Sequence, residues 1–189
     1  MTLADVVAGA TALLLDFDGP VCSVFAGYPS RQISHEMRSL LVDRGVRVST
    51  ETDDPHALYV WAATRHGELA GWLDDELTRR EIVAVQTATE TLGAREVIES
   101  AGAADLPVAV ASNNAEAAIR RYLDVVGLGR QVALVVGRPY ADPDRMKPHP
   151  AIIDAALAAL GVERDNALFV GDSMTDMEAA RRAGVQGIG

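Results

Sequence analysis

The run Leu13-Leu14-Leu15-Asp16-Phe17-Asp18-Gly19 constrains this chain more than any other segment. It is apolar and then stops abruptly in two carboxylates and a glycine. A run of that kind reads as a buried strand carrying Asp16 and Asp18 to its C-terminal end, the edge at which open α/β sheets gather their ligands. Two acids held there repel each other. They require a cation, a shared proton or a solvated loop.

Further apolar runs follow at Val108–Ala111, 132–136, Leu168–Val170 and Val185–Ile188, and the first run extends over Ala12–Phe17. None alternates cleanly, as expected of parallel strands covered on both faces. Helical stripes lie between the later runs. Ile119, Tyr122, Leu123 and Val126 form one, and Ile153, Ala156, Leu157 and Leu160 another, each at the spacing of a helix face. Strands alternating with helices predict an α/β fold, a doubly wound parallel sheet with a Rossmann-like core.

The interval between the first and second strands is too long for one crossover. From Val21 to Glu90 the pattern shows no strand, only helical stretches near 33–43, 56–65 and 68–89, interrupted by Gly45, Pro55 and Gly67. The reading is an all-helical insertion, residues 21–90, lying as a cap over a discontinuous core of residues 1–20 and 91–189. Its hinges fall near Gly19–Ser23 and Leu92–Gly93. Pro20, which lacks a backbone N–H, would stiffen the first of them. Gly187-Ile188-Gly189 ends within or just past a strand-like run, where a doubly wound fold ordinarily adds a helix, and whether the chain is truncated at this end is left open.

The composition excludes several classes of function. With 17 basic and 27 acidic residues the net charge is −10, which disfavours nucleic acid and anionic membranes as partners. Cys22 is the only cysteine, so there is no internal disulfide and no cysteine-based zinc site. No apolar run approaches the ~20 residues of a membrane span. The start, Met1 to Asp5, lacks the basic region of a signal peptide. A cytoplasmic, water-soluble protein is expected, and its oligomeric state is left open.

Polar residues recur where the predicted strands end or helices begin: Ser112-Asn113-Asn114, Lys147 between Met146 and Pro148, and Gly171-Asp172-Ser173-Met174-Thr175-Asp176. With Asp16-Phe17-Asp18-Gly19, this order of motifs resembles the haloacid dehalogenase superfamily, in particular its phosphatase branch with a small helical cap, of the phosphoglycolate-phosphatase type. The match runs along nearly the whole chain.

The resemblance implies a magnesium-dependent phosphatase for a small phosphorylated metabolite. Asp16 is then the nucleophile, forming an aspartyl-phosphate, and Asp18 the general acid and base. Asp16, Asp172 and Asp18, the last through its carbonyl, would bind Mg2+. Asp176 would support the metal site directly, through water or by holding Lys147. Ser112, Asn113, Asn114, Gly19 and Lys147 would contact the phosphoryl group. The chemistry agrees with those residue types. A carboxylate attacking an anionic ester needs neighbouring positive charge, and a hard cation with oxygen ligands supplies it. Partial burial beside other acids raises the pKa of Asp18 in the direction proton donation needs.

Plainer roles exist beside these. Asn113 with Glu116, and Ser173 with Asp176, have the spacing of helix-capping boxes. Trp61 and Trp72 suit the core of the insertion, and Cys22 a buried packing position. A phosphomutase on the same scaffold, a metal-independent haloacid dehalogenase (disfavoured by Asp18) and a non-catalytic binding protein are the other functions weighed.

Overall fold

The computed structural model describes residues 9–189; the terminus at Met1–Asp5 lies outside them. The non-alternating runs form strands β1 (Ala12–Leu15), β4 (Val108–Ala111), β5 (Val132–Val136), β6 (Ala167–Val170) and β7 (Gln186–Ile188), all parallel, in the order β5-β4-β1-β6-β7. The first strand stops at Leu15, two residues before the end of the predicted run, so Asp16, Phe17 and Asp18 lie just past its hydrogen-bonded part. β1 is central: Leu13 pairs with Val108 on one side and Leu168 on the other.

The two faces explain the lack of alternation. Leu13 and Leu15 join an apolar cluster with Val108, Val110, Ile98 and Ile119. Ala12 and Leu14 join a second with Ala109, Ala111, Ile153 and Phe169. Side chains still alternate from face to face, but each face is buried, so every position is apolar. Helices α4 (Ala94–Ala103) and α5 (Glu116–Val126) contribute to the first cluster, α6 (Ala151–Leu160) and α7 (Met174–Ala183) to the second. The last three end at Gly127, Gly161 and Gly184 in the left-handed conformation, which glycine adopts without a Cβ penalty.

Between β1 and β4 lie α1 (Ser30–Asp43), α2 (Pro55–Arg65) and α3 (Ala70–Ala84). α2 starts where sequence chemistry puts it: Asp54 accepts a 2.8 Å hydrogen bond from the His56 amide, and Pro55 sits at the first helical position. The segment is not wholly helical. β2 (Cys22–Ser23) and β3 (Thr89–Glu90) pair antiparallel, a correction to the strand-free reading. A strand of two residues has no periodicity to detect, and Thr89-Glu90 is polar. The pair ties the chain entering the helices to the chain leaving them, and Thr91 Oγ1 adds a 2.5 Å hydrogen bond to the Gly19 carbonyl.

The helices share one apolar cluster with the sheet. Ile33, Met37, Leu58, Tyr59, Leu73 and Leu77 belong to the same contiguous core as Leu13, Leu15 and Val110. Among the described residues no helix is long and apolar enough to cross a membrane.

Candidate active site at the carboxyl ends of the strands

Strand order reverses at β1, with β4 and β5 to one side and β6 and β7 to the other. A crevice opens at such a switch point beyond the carboxyl ends of the strands, and Asp16 and Asp18 stand in it. Phe17 between them is buried, its ring edge-on to Tyr122 with centroids 5.4 Å apart. Gly19 follows with φ +108°, and a Cβ there would fall inside the Asp172 carboxylate, so the turn requires glycine on two counts.

Distant parts of the chain meet at Lys147. Its Nζ lies 2.6 Å from Asp16 Oδ1, 2.5 Å from Asp176 Oδ1 and 3.2 Å from the Ala111 carbonyl. The side chain of Asn113 fixes the lysine backbone, accepting from its amide at 2.8 Å and donating to its carbonyl at 3.1 Å. Asp176 completes the capping box expected with Ser173: its Oδ2 accepts from the Ser173 amide and hydroxyl at 3.1 and 2.6 Å. Both Asp176 oxygens are therefore engaged in holding Lys147 and the start of α7.

Asp16 is differently placed. Its Oδ1 is buried and ion-paired with Lys147, yet at an angle that makes no hydrogen bond, so this oxygen retains unfilled lone pairs. Burial pushes the Asp16 carboxyl up from its ordinary range; Lys147 opposes the rise and Asp176 adds to it. Asp18 is also raised, chiefly by burial. The 2.8 Å bond it accepts from the Val24 amide and the charge of His56 pull the other way, while Asp16 and Asp172 push it higher.

Asp16, Asp172 and Asp176 each bring a carboxylate oxygen within 4.8 Å of the others. The set is all hard oxygen, with surplus negative charge and an orphaned buried acceptor, and it fits a divalent cation such as Mg2+. Asp16 and the exposed Asp172 carry the free oxygens. The Asp18 carboxylate stands outside this cluster, which leaves its carbonyl as the atom the resemblance offered.

Ser112 is buried beside this group. Asn113 does not cap the next helix as its spacing suggested: α5 begins at Glu116, the N-cap position is Ala115, and no side chain of the loop caps it. The amide of the N-cap residue itself is satisfied from elsewhere. Glu81 of α3 accepts from the Ala115 amide at 3.1 Å through Oε2 and from Asn114 Nδ2 at 3.1 Å through Oε1.

Glu81 belongs to a buried network that the sequence reading missed. Arg138, just past β5, donates to Glu81 Oε1 at 3.0 Å, to Asp74 Oδ1 at 2.8 Å and to the Asn113 carbonyl at 3.0 Å. His56 Nε2 lies 2.7 Å from Glu81 Oε1, and Tyr59 and the Ala141 amide donate to Asp74. The side chains of Arg138 and Glu81 are 0 % exposed. Burial alone would raise the Glu81 carboxyl, but Arg138 and His56 overcome it and hold it at about 2. One signal was available. Asp74 and Glu81 share the helical face of Ala70, Leu77 and Ala84, and acids on an apolar stripe demand a buried partner.

A cleft of about 1080 Å³ opens over Asp16, Asp18 and Ser112. Phe25, His56, Trp61 and Arg65 wall it from the helical side. Trp72 stays packed against the core with Arg44 over its ring at 3.6 Å. Cys22 is buried, as its expected packing role requires.

Fold and site together define a class. Residues 74–189 match the family model described as haloacid dehalogenase-like hydrolase, and the chain belongs to that family. Among individual relatives, the phosphoglycolate phosphatase of Pectobacterium atrosepticum is 32% identical over 102 residues, covering 54% of this chain and 43% of the relative. That of Rhodospirillum rubrum is 39% identical over 93 residues, covering 49% and 38%. Less than half the length of either relative is thus matched by this chain. Among solved structures, CbbY from Rhodobacter sphaeroides in complex with phosphate superposes with a TM-score of 0.70 at 18% identity, over 94% of this chain and 84% of that one. A HAD-superfamily hydrolase from Ehrlichia chaffeensis gives 0.61 at 18%, over 94% and 86%. At such identities the likeness is one of fold.

Proposed function

We propose that this protein is a magnesium-dependent phosphatase that hydrolyses a small phosphorylated metabolite through an aspartyl-phosphate. In this reading residues 21–90 form the cap over a catalytic core of residues 1–20 and 91–189, and the enzyme works in the cytoplasm. The observation that carries it is the meeting of Asp16, Lys147, Asp172 and Asp176 at the switch point of the sheet, with one buried Asp16 oxygen left without a hydrogen bond. The phosphoglycolate phosphatases among its relatives and the phosphate bound to its structural neighbour support the same reading.

Asp16, Asp172 and the Asp18 carbonyl would hold Mg2+, which supplies positive charge that offsets repulsion between nucleophile and phosphoryl group. Lys147 adds a fixed cation on the other side of Asp16. A carboxylate oxygen of Asp16 attacks phosphorus, and the bond to the leaving alkoxide breaks as Asp18 gives it a proton. The raised pKa of Asp18 keeps that proton available. Asp18, now a carboxylate, takes a proton from water, which attacks the aspartyl-phosphate; phosphate leaves and Asp16 is restored. Ser112 and the backbone amide of Asn113 orient the phosphoryl oxygens, and the Asn114 amide, which donates to Ser112 Oγ at 3.3 Å, holds that hydroxyl. Positioning and charge dominate transfers of this kind.

The test is phosphate release from p-nitrophenyl phosphate and a panel of small phosphoesters, with Mg2+ and with chelator. Turnover that needs Mg2+ and disappears in Asp16→Asn is the expected result. Turnover by Asp16→Asn at the wild-type rate, or none by the wild type with any ester, refutes the proposal.

A further inference from the structure

Helix α5 begins with an unusual arrangement. The first N–H groups of a helix have no partner within it, and Ser, Thr, Asp or Asn at the N-cap usually accepts from one. Here the N-cap residue is Ala115, which cannot. Glu81 reaches in from α3, a different part of the chain, and accepts from the Ala115 amide at 3.1 Å.

The same carboxylate turns Asn114. The amide nitrogen of Asn114 faces Glu81 Oε1 at 3.1 Å, so its oxygen faces Ser112, whose Oγ donates to it at 3.1 Å. The Asn114 backbone amide in turn donates to Ser112 Oγ at 3.3 Å. Arg138, held by Glu81 and Asp74, donates to the carbonyl of Asn113. Each residue from Ser112 to Ala115 is therefore fixed directly or at one remove by Glu81, and Ser112 and Asn114 are 1 % and 2 % exposed.

We propose that Glu81 is a positioning residue: acting through Asn114 and the Ala115 amide, it fixes Ser112 and the 112–115 backbone for phosphoryl binding, the single Ser112 hydroxyl proton turning from Asn114 Oδ1 to a phosphoryl oxygen when one is bound. The phosphoryl-binding loop of the sheet is then completed by a side chain from the helical insertion. The kinetic part of this inference rests on the phosphatase reading.

Glu81→Gln keeps the size of the side chain but replaces one acceptor oxygen by a donor, so it cannot accept from Ala115, Asn114 and Arg138 together. Two readings are taken: the inhibition constant of inorganic phosphate, and the hydrogen-exchange rate of the Ala115 amide. Asp74→Asn is the comparison, since Asp74 grips Arg138 without touching the loop. In Glu81→Gln both readings rise at least tenfold; in Asp74→Asn the melting temperature falls and both readings stay at wild-type values. Wild-type readings in Glu81→Gln, or equal rises in Asp74→Asn, overturn the proposal. If Glu81→Gln does not fold, Asn114→Ala replaces it, because it cuts the link to Ser112 and spares the ion pair. A phosphate inhibition constant within twofold of wild type then refutes the inference. If wild-type protein turns over no phosphoester, the phosphatase reading fails separately, and Ala115 exchange alone decides: faster exchange in Glu81→Gln supports the positioning role, unchanged exchange refutes it.

Discussion

Replacing Arg138 by methionine removes the cation between Asp74 and Glu81 and keeps much of the side chain's length. All three side chains are at most 5 % exposed, so the two acids are left buried with hydrogen-bond donors but no guanidinium. The size of the effect follows from Glu81. Its carboxyl is held at about 2 against an ordinary value of 4.5, which by linkage corresponds to about 3 kcal/mol of stability at neutral pH. That agrees with the roughly 3–5 kcal/mol lost when one partner of a buried ion pair is deleted. For a chain of this size the melting temperature should fall by about 6–12 °C at pH 7. The sign with pH is also fixed. A depressed acid stabilises fully above its unfolded value, and that stability is lost as pH falls from about 4.5 towards 2. In Arg138→Met, burial acts on Glu81 with only His56 and the Asn114 and Ala115 N–H donors to oppose it, and protonation becomes more favourable. The deficit relative to wild type should therefore shrink as the solution is acidified. Urea unfolding at pH 7 and pH 4 measures it. A deficit below about 1 kcal/mol at pH 7, or one of equal size at both pH values, would show that the network does not hold its charges as argued.

Other outcomes follow from the same geometry. Mg2+ should raise the melting temperature, by about 2.7 kcal/mol equivalent at a hundred times its Kd, with EDTA reversing the shift and Asp172→Asn abolishing it. Gly19→Ala adds backbone strain of about 1–3 kcal/mol and drives a methyl group into Asp172; Mg2+ titration should show affinity reduced at least tenfold, and wild-type affinity would refute the account of that turn. The Cys22 thiol is buried and burial pushes its pKa up, so a thiol reagent at pH 8 should label it only after denaturation. Rapid labelling of folded protein would contradict the burial.

The parallel sheet was legible because its strands are buried on both faces, which leaves unbroken apolar runs; Val108–Ala111 has the predicted ends. The convergence of Asp16, Lys147, Asp172 and Asp176 was foreseen only through the resemblance, since nothing in local spacing joins Lys147 to Asp16. The β2–β3 pair was illegible because two residues cannot display a period. Asn113 was misread because capping spacing is a local rule, whereas its side chain is engaged by the Lys147 backbone, 34 positions away. The Asp74–Arg138–Glu81 network was missed for a similar reason. Its members lie 57 and 64 positions apart, and a single arginine after a strand looks like any surface cation. The apolar stripe of α3 was the one place where the misfit could be seen.

The carboxylate that reaches from α3 to the start of α5 limits how freely the two halves of such a chain can be recombined. A chimera that exchanged everything between Ser23 and Thr89 at the β2–β3 junction would keep every motif residue from Asp16 to Asp176. It would nevertheless strip an amide of its acceptor and leave an arginine stranded in the core unless the donor segment brought an acid to the same spot. Compatibility between grafted segment and recipient is thus decided by one glutamate as much as by the fit of the seam.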